Sequence, residues 1–399
     1  MRPTSRWLNL LVYLFIIACL VLYFKNGYSS LSYGPDTKSN VLLPYSQDQK
    51  KVLIYAATKF FTEPITSQRF LAHCPEKREF CRISEDFQHF SKADAVVFHN
   101  ADYNQEAQIN VLSHRNPKIP YVLWSLESPS NDVFRPGKDI INWTMTYRTD
   151  ADIWAPYGHI EKKSDSSTEK RLTEIFLRKK IYNIFFSLEM DLEAIWSSKT
   201  LKKTTFLVSN CFARNRRMEI VKNMKNNGME IDIWGSCGSP PPKCNGVNKQ
   251  GDNCVVELIR PYLFYISIEN SNCKDYVTEK FWQSLGERMV VPIVLTRKYY
   301  RDLGVPDSAY ISVDDFSNIS ELVAHIKELS ENKELYLKYH EWRKTWRIVI
   351  GEGFSGFCRL CDKLQNAPEK WPEKNYGNPA AWHQIGGNCQ NSIGDKFIV

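Results

Sequence analysis

The chain of 399 residues has no internal repeat, and it lacks the dense Lys/Arg stripe of a nucleic-acid binder. Its 52 Lys and Arg exceed its 45 Asp and Glu by 7, and that surplus is spread along the chain. A mild, dispersed positive charge suits a protein that handles anionic small molecules or works near anionic surfaces. With 43% hydrophobic and 24% charged residues, disorder, collagen-like repeats and coiled coil are excluded as the main state. The length is about right for two domains plus appendages. Aromatic residues make up 13%, with 11 Trp. They could stack on sugar rings, but a large core uses them equally often.

Also missing is a signal-peptidase site. Residues 7–24, WLNLLVYLFIIACLVLYF, form an uncharged apolar run at the short end of what crosses a bilayer. Arg2 and Arg6 precede it and Lys25 follows, a bias toward a cytoplasmic N-terminus. No small-x-small motif ends the run, so an uncleaved signal anchor is expected, with everything after Lys25 lumenal or extracellular.

A second close cysteine pair, which a zinc site beside Cys358-x-x-Cys361 would need, is absent, because Cys74 and Cys81 are too widely spaced. No buried strand precedes that CxxC, as a thioredoxin-type motif requires. Setting Cys19 in the span aside leaves ten cysteines, which in an oxidising lumen read as up to five disulfides of undetermined pairing.

Residues 25–50 are polar and turn-rich, as in a stem. Apolar runs of strand length follow at 52–58, 95–99 and 121–126, suited to parallel strands buried on both faces. A charged helical stretch near 163–203 divides the chain. Beyond it strands at 204–209, 231–235, 262–269 and 289–295 alternate with helices at 213–228 and 275–288, then ISELVAHIKEL and ELYLKYHEWRKTW, an order that predicts a Rossmann-like doubly wound half. The expected boundaries are 1–6 tail, 7–24 anchor, 25–50 stem, 51–170 first domain, 171–203 linker, 204–352 second domain, 353–366 a helix returning to the first domain, and 367–399 an irregular tail.

The most informative segment is IENSNCKDYVTEK at 268–280. A strand ends at Glu269 and Asn270, and a helix capped by Asp275 is expected to begin near Tyr276, with Glu279 and Lys280 in its first turn and a half. Strand end, loop and helix N-terminus form the anion-binding corner of an open α/β sheet, and Lys280 adds a full charge. An ordinary capped helix with surface Glu and Lys would share this pattern. Arg214 in SNCFARNRRME has the same placement, with Arg216 and Arg217 competing for the role. Glu127 in WSLESPSN follows a buried strand, where a general base for a sugar hydroxyl could sit, although a solvated loop Glu is the commoner occupant. Asp150-Ala-Asp152 is a D-x-D, the divalent-cation signature of many sugar-nucleotide transferases, here without the usual apolar strand before it. Asn142 and Asn318 head Asn-x-Ser/Thr sequons, and Asn142, in a hydrophobic segment, is equally a chance tripeptide.

Taken together, WSLESPSN, INWTMTYRTDADIWAPYG, VSNCFARNRRME, FYISIENSNCKDYVTEKFWQSL and FCRLC resemble the α1,3-fucosyltransferases of glycosyltransferase family ten, over roughly residues 52–366. The motifs are closest to plant and invertebrate members that fucosylate the N-glycan core. The resemblance implies a GT-B fold, two Rossmann-like domains facing a cleft, the first taking the acceptor and the second GDP-fucose. It implies inverting transfer of L-fucose to O3 of an N-acetylglucosamine in a glycoprotein glycan, the N-glycan core first and a Lewis-type antenna next. It makes Glu127 the catalytic base and Arg214, Glu269, Asn270, Tyr276, Glu279 and Lys280 donor-binding residues, with Glu279 at the ribose. It bridges Cys358 and Cys361 back to Cys74 and Cys81. No cofactor or metal is required, a divalent cation being at most a stimulant, and the place is the Golgi membrane as a single-pass type II protein. The rivals are a metal-dependent GT-A transferase using Asp150 and Asp152, and a membrane-anchored glycan-binding protein without catalysis.

Overall fold

The computed structural model describes residues 50–163, 192–242, 244, 250–351, 353–366 and 374–398. The apolar run at 7–24, the stem up to residue 49 and most of the 171–203 linker lie outside them. Among the described residues, no helix is long and apolar enough to cross a membrane.

Two parallel sheets carry the architecture. The first is built from β1 (Val52–Ala56), β2 (Cys81–Ser84), β3 (Ala95–His99), β4 (Tyr121–Ser125), β5 (Trp143–Thr146) and β6 (Ile153–Trp154), in the order β2-β1-β3-β4-β5-β6. Every pair is parallel. Strands β3, β4 and β5 are buried along their whole length; the sequences of β3 and β4 accordingly run apolar almost throughout, while β5 alternates Trp143 and Met145 with two buried threonines. After an antiparallel strand β7 (Gly158–Lys162), the second sheet follows: β8 (Leu201–Leu207), β9 (Ile231–Trp234), β10 (Tyr262–Ile266), β11 (Val291–Val294) and β12 (Ile311–Ser312), ordered β12-β11-β10-β8-β9 and again all parallel. The strand order therefore reverses between β1 and β3 in the first sheet and between β8 and β10 in the second. Such reversals open a crevice at the carboxyl ends of the strands.

Several sequence expectations are corrected. Strand β8 begins at Leu201, inside the expected linker. The first helix of the second half, α1 (Arg217–Asn226), starts four residues late, because Arg216 takes a left-handed conformation at φ 55°. Gly228, at φ 92°, follows its end. The helix after the ENSNCKDYVT loop, α2 (Glu279–Gly286), is entered through Thr278, not capped by Asp275. Asp275 sits in the loop at φ 61° and accepts from the Thr149 backbone N–H (2.9 Å) and hydroxyl (2.7 Å) of the first half. The segment ELYLKYHEWRKTW is not one helix. Helix ends at Lys338, and Trp346 opens strand β13 (Trp346–Ile350), which pairs antiparallel with β7. Gly158 in β7 lets α2 pack closely on this ribbon: a Cβ there would lie 2.5 Å from the Trp282 ring of α2.

The long helix α3 (Ile319–Glu331) is capped by the Asn318 side chain on the Glu321 N–H and buries Leu322, Ile326 and Leu329. Helix α4 (Ser355–Gln365) carries Phe357, Cys358, Leu360, Cys361 and Leu364 into the core of the first sheet. There Cys358 bonds Cys74 and Cys361 bonds Cys81, the pairing the resemblance implied. Three more bridges, Cys211–Cys237, Cys244–Cys254 and Cys273–Cys389, use all ten cysteines outside the apolar run. The C-terminal region is not irregular. It forms helix α5 (Pro379–Gly387), opened by an Asn378 cap, and a short turn over Asn391–Phe397.

Candidate active site

Glu127 leaves the end of β4 on a loop whose backbone N–H is held by the Ser125 hydroxyl at 3.3 Å. Its carboxylate accepts from the Tyr276 hydroxyl at 3.1 Å, so the loops after β4 and β10 meet at these two side chains. A second link between them is the Ser271–Ser128 hydroxyl pair at 2.6 Å. Burial raises the Glu127 carboxyl above its ordinary range, while the Lys280 charge and the Tyr276 hydrogen bond pull it back. A carboxylate so poised can take a proton from a bound hydroxyl.

On the other side, β10 delivers Glu269, 5% exposed, which accepts from the Thr278 N–H (2.7 Å) and hydroxyl (2.9 and 2.8 Å) at the start of α2. Lys280 lies between Glu269 (3.2 Å) and Glu279 (3.0 Å) and donates to the Thr278 hydroxyl at 2.9 Å. Burial alone would lower the ammonium, but the two carboxylates win and hold it well above the usual range. Glu279, half-buried, is held down by Lys280 beside it. This triad places a fixed cation at a helix N-terminus, next to Glu127.

Arg214 and Glu269 stand on the loops after β8 and β10, the strands flanking the reversal of the second sheet. Arg214 is exposed, and no ion pair engages it among the described residues. Its neighbour Asn215 donates to the Glu269 carbonyl (2.7 Å) and the Asn272 side chain (3.1 Å), fixing this turn to the β10 loop. Of its two competitors, Arg216 pairs with Glu219 and Asp395. Arg217 is buried, donating to the Ile268 and Asn210 carbonyls. Asn270 accepts from the Ser271 hydroxyl at 3.1 Å.

The D-x-D carboxylates are engaged otherwise. Asp150 takes a bidentate pair from Arg148 (2.9 and 2.6 Å), and Asp152 accepts from Lys374, the Thr144 N–H and the Tyr376 hydroxyl. Asn142 is not presented to solvent as a free amide: it accepts from Arg115 and the Tyr121 N–H and donates to the Lys374 carbonyl, which structures the segment. Asn318 is exposed at its helix cap. The sequence reading missed Tyr157, whose hydroxyl donates to the Leu126 carbonyl at 2.9 Å, and Thr278; WAPYG and VTEK contained them but no charge marked them. It also missed the C-terminal region, where only Cys389 pointed inward.

Two family models together cover most of the chain. Glycosyltransferase family 10 (fucosyltransferase) C-term matches residues 196–382, and fucosyltransferase, N-terminal matches residues 47–158. The chain is 52% identical to alpha-(1,3)-fucosyltransferase fut-6 of Caenorhabditis elegans, over 88% of this chain and 84% of that one. It is 32% identical to glycoprotein 3-alpha-L-fucosyltransferase A of Drosophila melanogaster, over 80% of this chain and 57% of that one. The crystal structure of an alpha1,3-fucosyltransferase shares its fold with a TM-score of 0.51, at 16% identity over 82% of this chain and 94% of that one. The chain belongs to the α1,3-fucosyltransferases of glycosyltransferase family 10, and its fold is the two-sheet GT-B type.

Proposed function

We propose that the chain transfers L-fucose from GDP-fucose to O3 of an N-acetylglucosamine in a glycoprotein glycan, with inversion, the N-glycan core being the first acceptor. The observation that carries this reading is the meeting of the Glu127 carboxylate with the Tyr276 hydroxyl at 3.1 Å, within the field of the Lys280 charge. Glu127 takes the proton from the acceptor hydroxyl as that oxygen attacks the anomeric carbon. The bond to the GDP oxygen breaks on the opposite face, and Lys280, Arg214 and the N-terminus of α2 meet the charge on the departing diphosphate. Asn270, Glu269, Tyr276 and Glu279 complete the donor side, Glu279 at the ribose. In support, a related alpha1,3-fucosyltransferase fold has been crystallised with GDP-fucose.

The acceptor side is drawn from the first sheet. A cavity of about 450 Å³ lies beyond the carboxyl ends of β1, β2 and β3, lined by Thr58, Lys59, Thr62, Glu85, Asp102 and Gln108 among others. Its hydroxyls and carboxylates suit the hydroxyls of a sugar. The test is incubation of the full chain with GDP-fucose and two acceptors, an N-glycan core glycopeptide and N-acetyllactosamine. The reading expects α1,3-fucose on the core N-acetylglucosamine, read by mass spectrometry and NMR. Antenna transfer alone overturns the acceptor, and an absence of transfer overturns the enzyme.

No metal is required in this scheme, and transfer is expected to persist in excess chelator, a divalent cation being at most a stimulant. The uncharged run at 7–24 and the five disulfides support a Golgi membrane protein of type II with its catalytic region lumenal, and Asn318 as its glycan site.

A further inference from the structure

Residues 374–398 form a strap across the two sheets. It starts on the first half, where the Tyr376 N–H donates to the Ile141 carbonyl at 2.9 Å. It ends on the second, where Phe397 is buried and its carbonyl accepts from Asn223 at 2.8 Å. Between these ends it grips both loops of the site. On the Glu127 side, His383 stacks on Phe134 at 3.9 Å. The buried Arg148 donates to the Trp382 carbonyl at 2.9 Å and lies 3.9 Å over the Trp382 ring. On the Tyr276 side, the Gly387 carbonyl accepts from the Lys274 N–H (2.8 Å), the Gln390 N–H donates to the Asn272 carbonyl (2.7 Å), and Cys389 is bonded to Cys273.

Within the strap, the Asn391 side chain reaches both loops, adding to their direct Ser271–Ser128 and Tyr276–Glu127 links. Asn391 donates to the Ser130 hydroxyl at 3.0 Å and accepts from the Asn272 N–H at 3.1 Å. The Cys273–Cys389 bridge packs with Tyr147 against Tyr276, the residue whose hydroxyl meets Glu127. We propose that Asn391 and Cys389 are positioning residues for the transfer: by tying Asn272 and Cys273 to Ser130 they hold the Tyr276 hydroxyl on the Glu127 carboxylate. The inference rests on the proposed role of Glu127 as base.

The chemistry gives a signature that a purely structural staple lacks. A hydroxyl donating to an ionised carboxylate stabilises its charge, so loosening that contact raises the Glu127 carboxyl further. The groups facing Glu127 are Lys280, Glu279, Tyr276, Tyr147, Tyr157 and His383. Lys280 stays charged, and burial with Arg148 keeps His383 neutral down to about 3, so neither titrates in the range where the base does. Burial raises the Glu269 carboxyl as well, so a shift of the acid limb of kcat/KM shared with Tyr276→Phe, whose lost hydroxyl donates to Glu127, is what assigns that limb to Glu127.

The experiment compares Asn391→Leu, Cys389→Ser and Tyr276→Phe in the full chain, reading kcat, the pH profile, GDP affinity by calorimetry and Tm. Expected is a fall in kcat of about 10- to 100-fold for the strap variants, the scale of a misplacement near 1 Å. Their acid limb moves to higher pH, as in Tyr276→Phe, and Asn391→Leu adds no further shift on top of Tyr276→Phe. A lower Tm with kcat and acid limb unchanged overturns the proposal, as does a lower kcat with an unmoved limb. Should Cys389→Ser fail to fold, Asn391→Leu decides. Normal turnover in Glu127→Gln would instead sink the base itself, whereas an inactive Glu127→Gln beside an unaffected Asn391→Leu sinks the strap alone.

Discussion

The carboxyl ends of the two parallel sheets bury opposite chemistry. After β4, Glu127 stands among hydroxyls and carbonyls, with Tyr276, Ser125 and Tyr157 as neighbours, and burial raises its carboxyl above the ordinary range. After β10, Glu269, Glu279 and Lys280 form an ion-paired lattice in which every charge has a fixed partner. The same fold therefore makes one end suited to moving a proton and the other to holding an anion. The lesson is that environment assigns the roles: a carboxylate with a hydroxyl for company stays basic, and one locked to a lysine serves as scaffold.

Glu127→Gln breaks the first end. Loss of the proton acceptor is expected to lower kcat on the order of 10²–10⁴. At the second end, Lys280→Ala and Arg214→Ala should each cost transition-state stabilisation of about 2.7–4 kcal/mol, the worth of one electrostatic donor. The variants differ in stability. Removing Lys280 leaves the buried Glu269 and the half-buried Glu279 without their cation, so Lys280→Ala should also lower Tm, whereas loss of the exposed Arg214 should not. Calorimetric GDP titration together with thermal melts separates the two effects.

The bridges that join the first sheet to α4 sharpen the comparison from outside the site. Cys74–Cys358 and Cys81–Cys361 span separations of 284 and 280 residues. Replacing either pair with Ala should cost roughly 2–5 kcal/mol in denaturant unfolding, with the site chemistry preserved below the transition. The smallest effect is on stability at the base. Because the Glu127 carboxyl is raised in the fold, its contribution is full below the ordinary carboxylate range and is lost as pH rises through the folded value. Glu127→Gln should then match or slightly exceed the wild-type Tm at neutral pH while losing turnover.

Much of this was legible in the sequence because it rests on local patterns. Uninterrupted apolar runs such as AVVFH marked the buried parallel strands, and ENSNCKDYVTEK marked the corner where Glu269 and Lys280 meet. Chain-distant pairing was not legible. Strand β13 finds β7 across 184 residues between Trp346 and Lys162, and helical spacing in ELYLKYHEWRKTW pointed the other way. Asp275 looked like a helix cap, yet its carboxylate serves Thr149 from the other half. The tail's Pro, Gly and Asn suggested irregularity, but Asn378 and Pro379 start a helix and Gly386 fits where Arg148 leaves no room for a side chain.

The division between the two ends is tested most directly by titrating GDP into Glu127→Gln. The account predicts wild-type affinity, because the anion is held by the loops after β8 and β10. Affinity weakened as much as in Arg214→Ala would contradict it, and would make Glu127 part of the donor site.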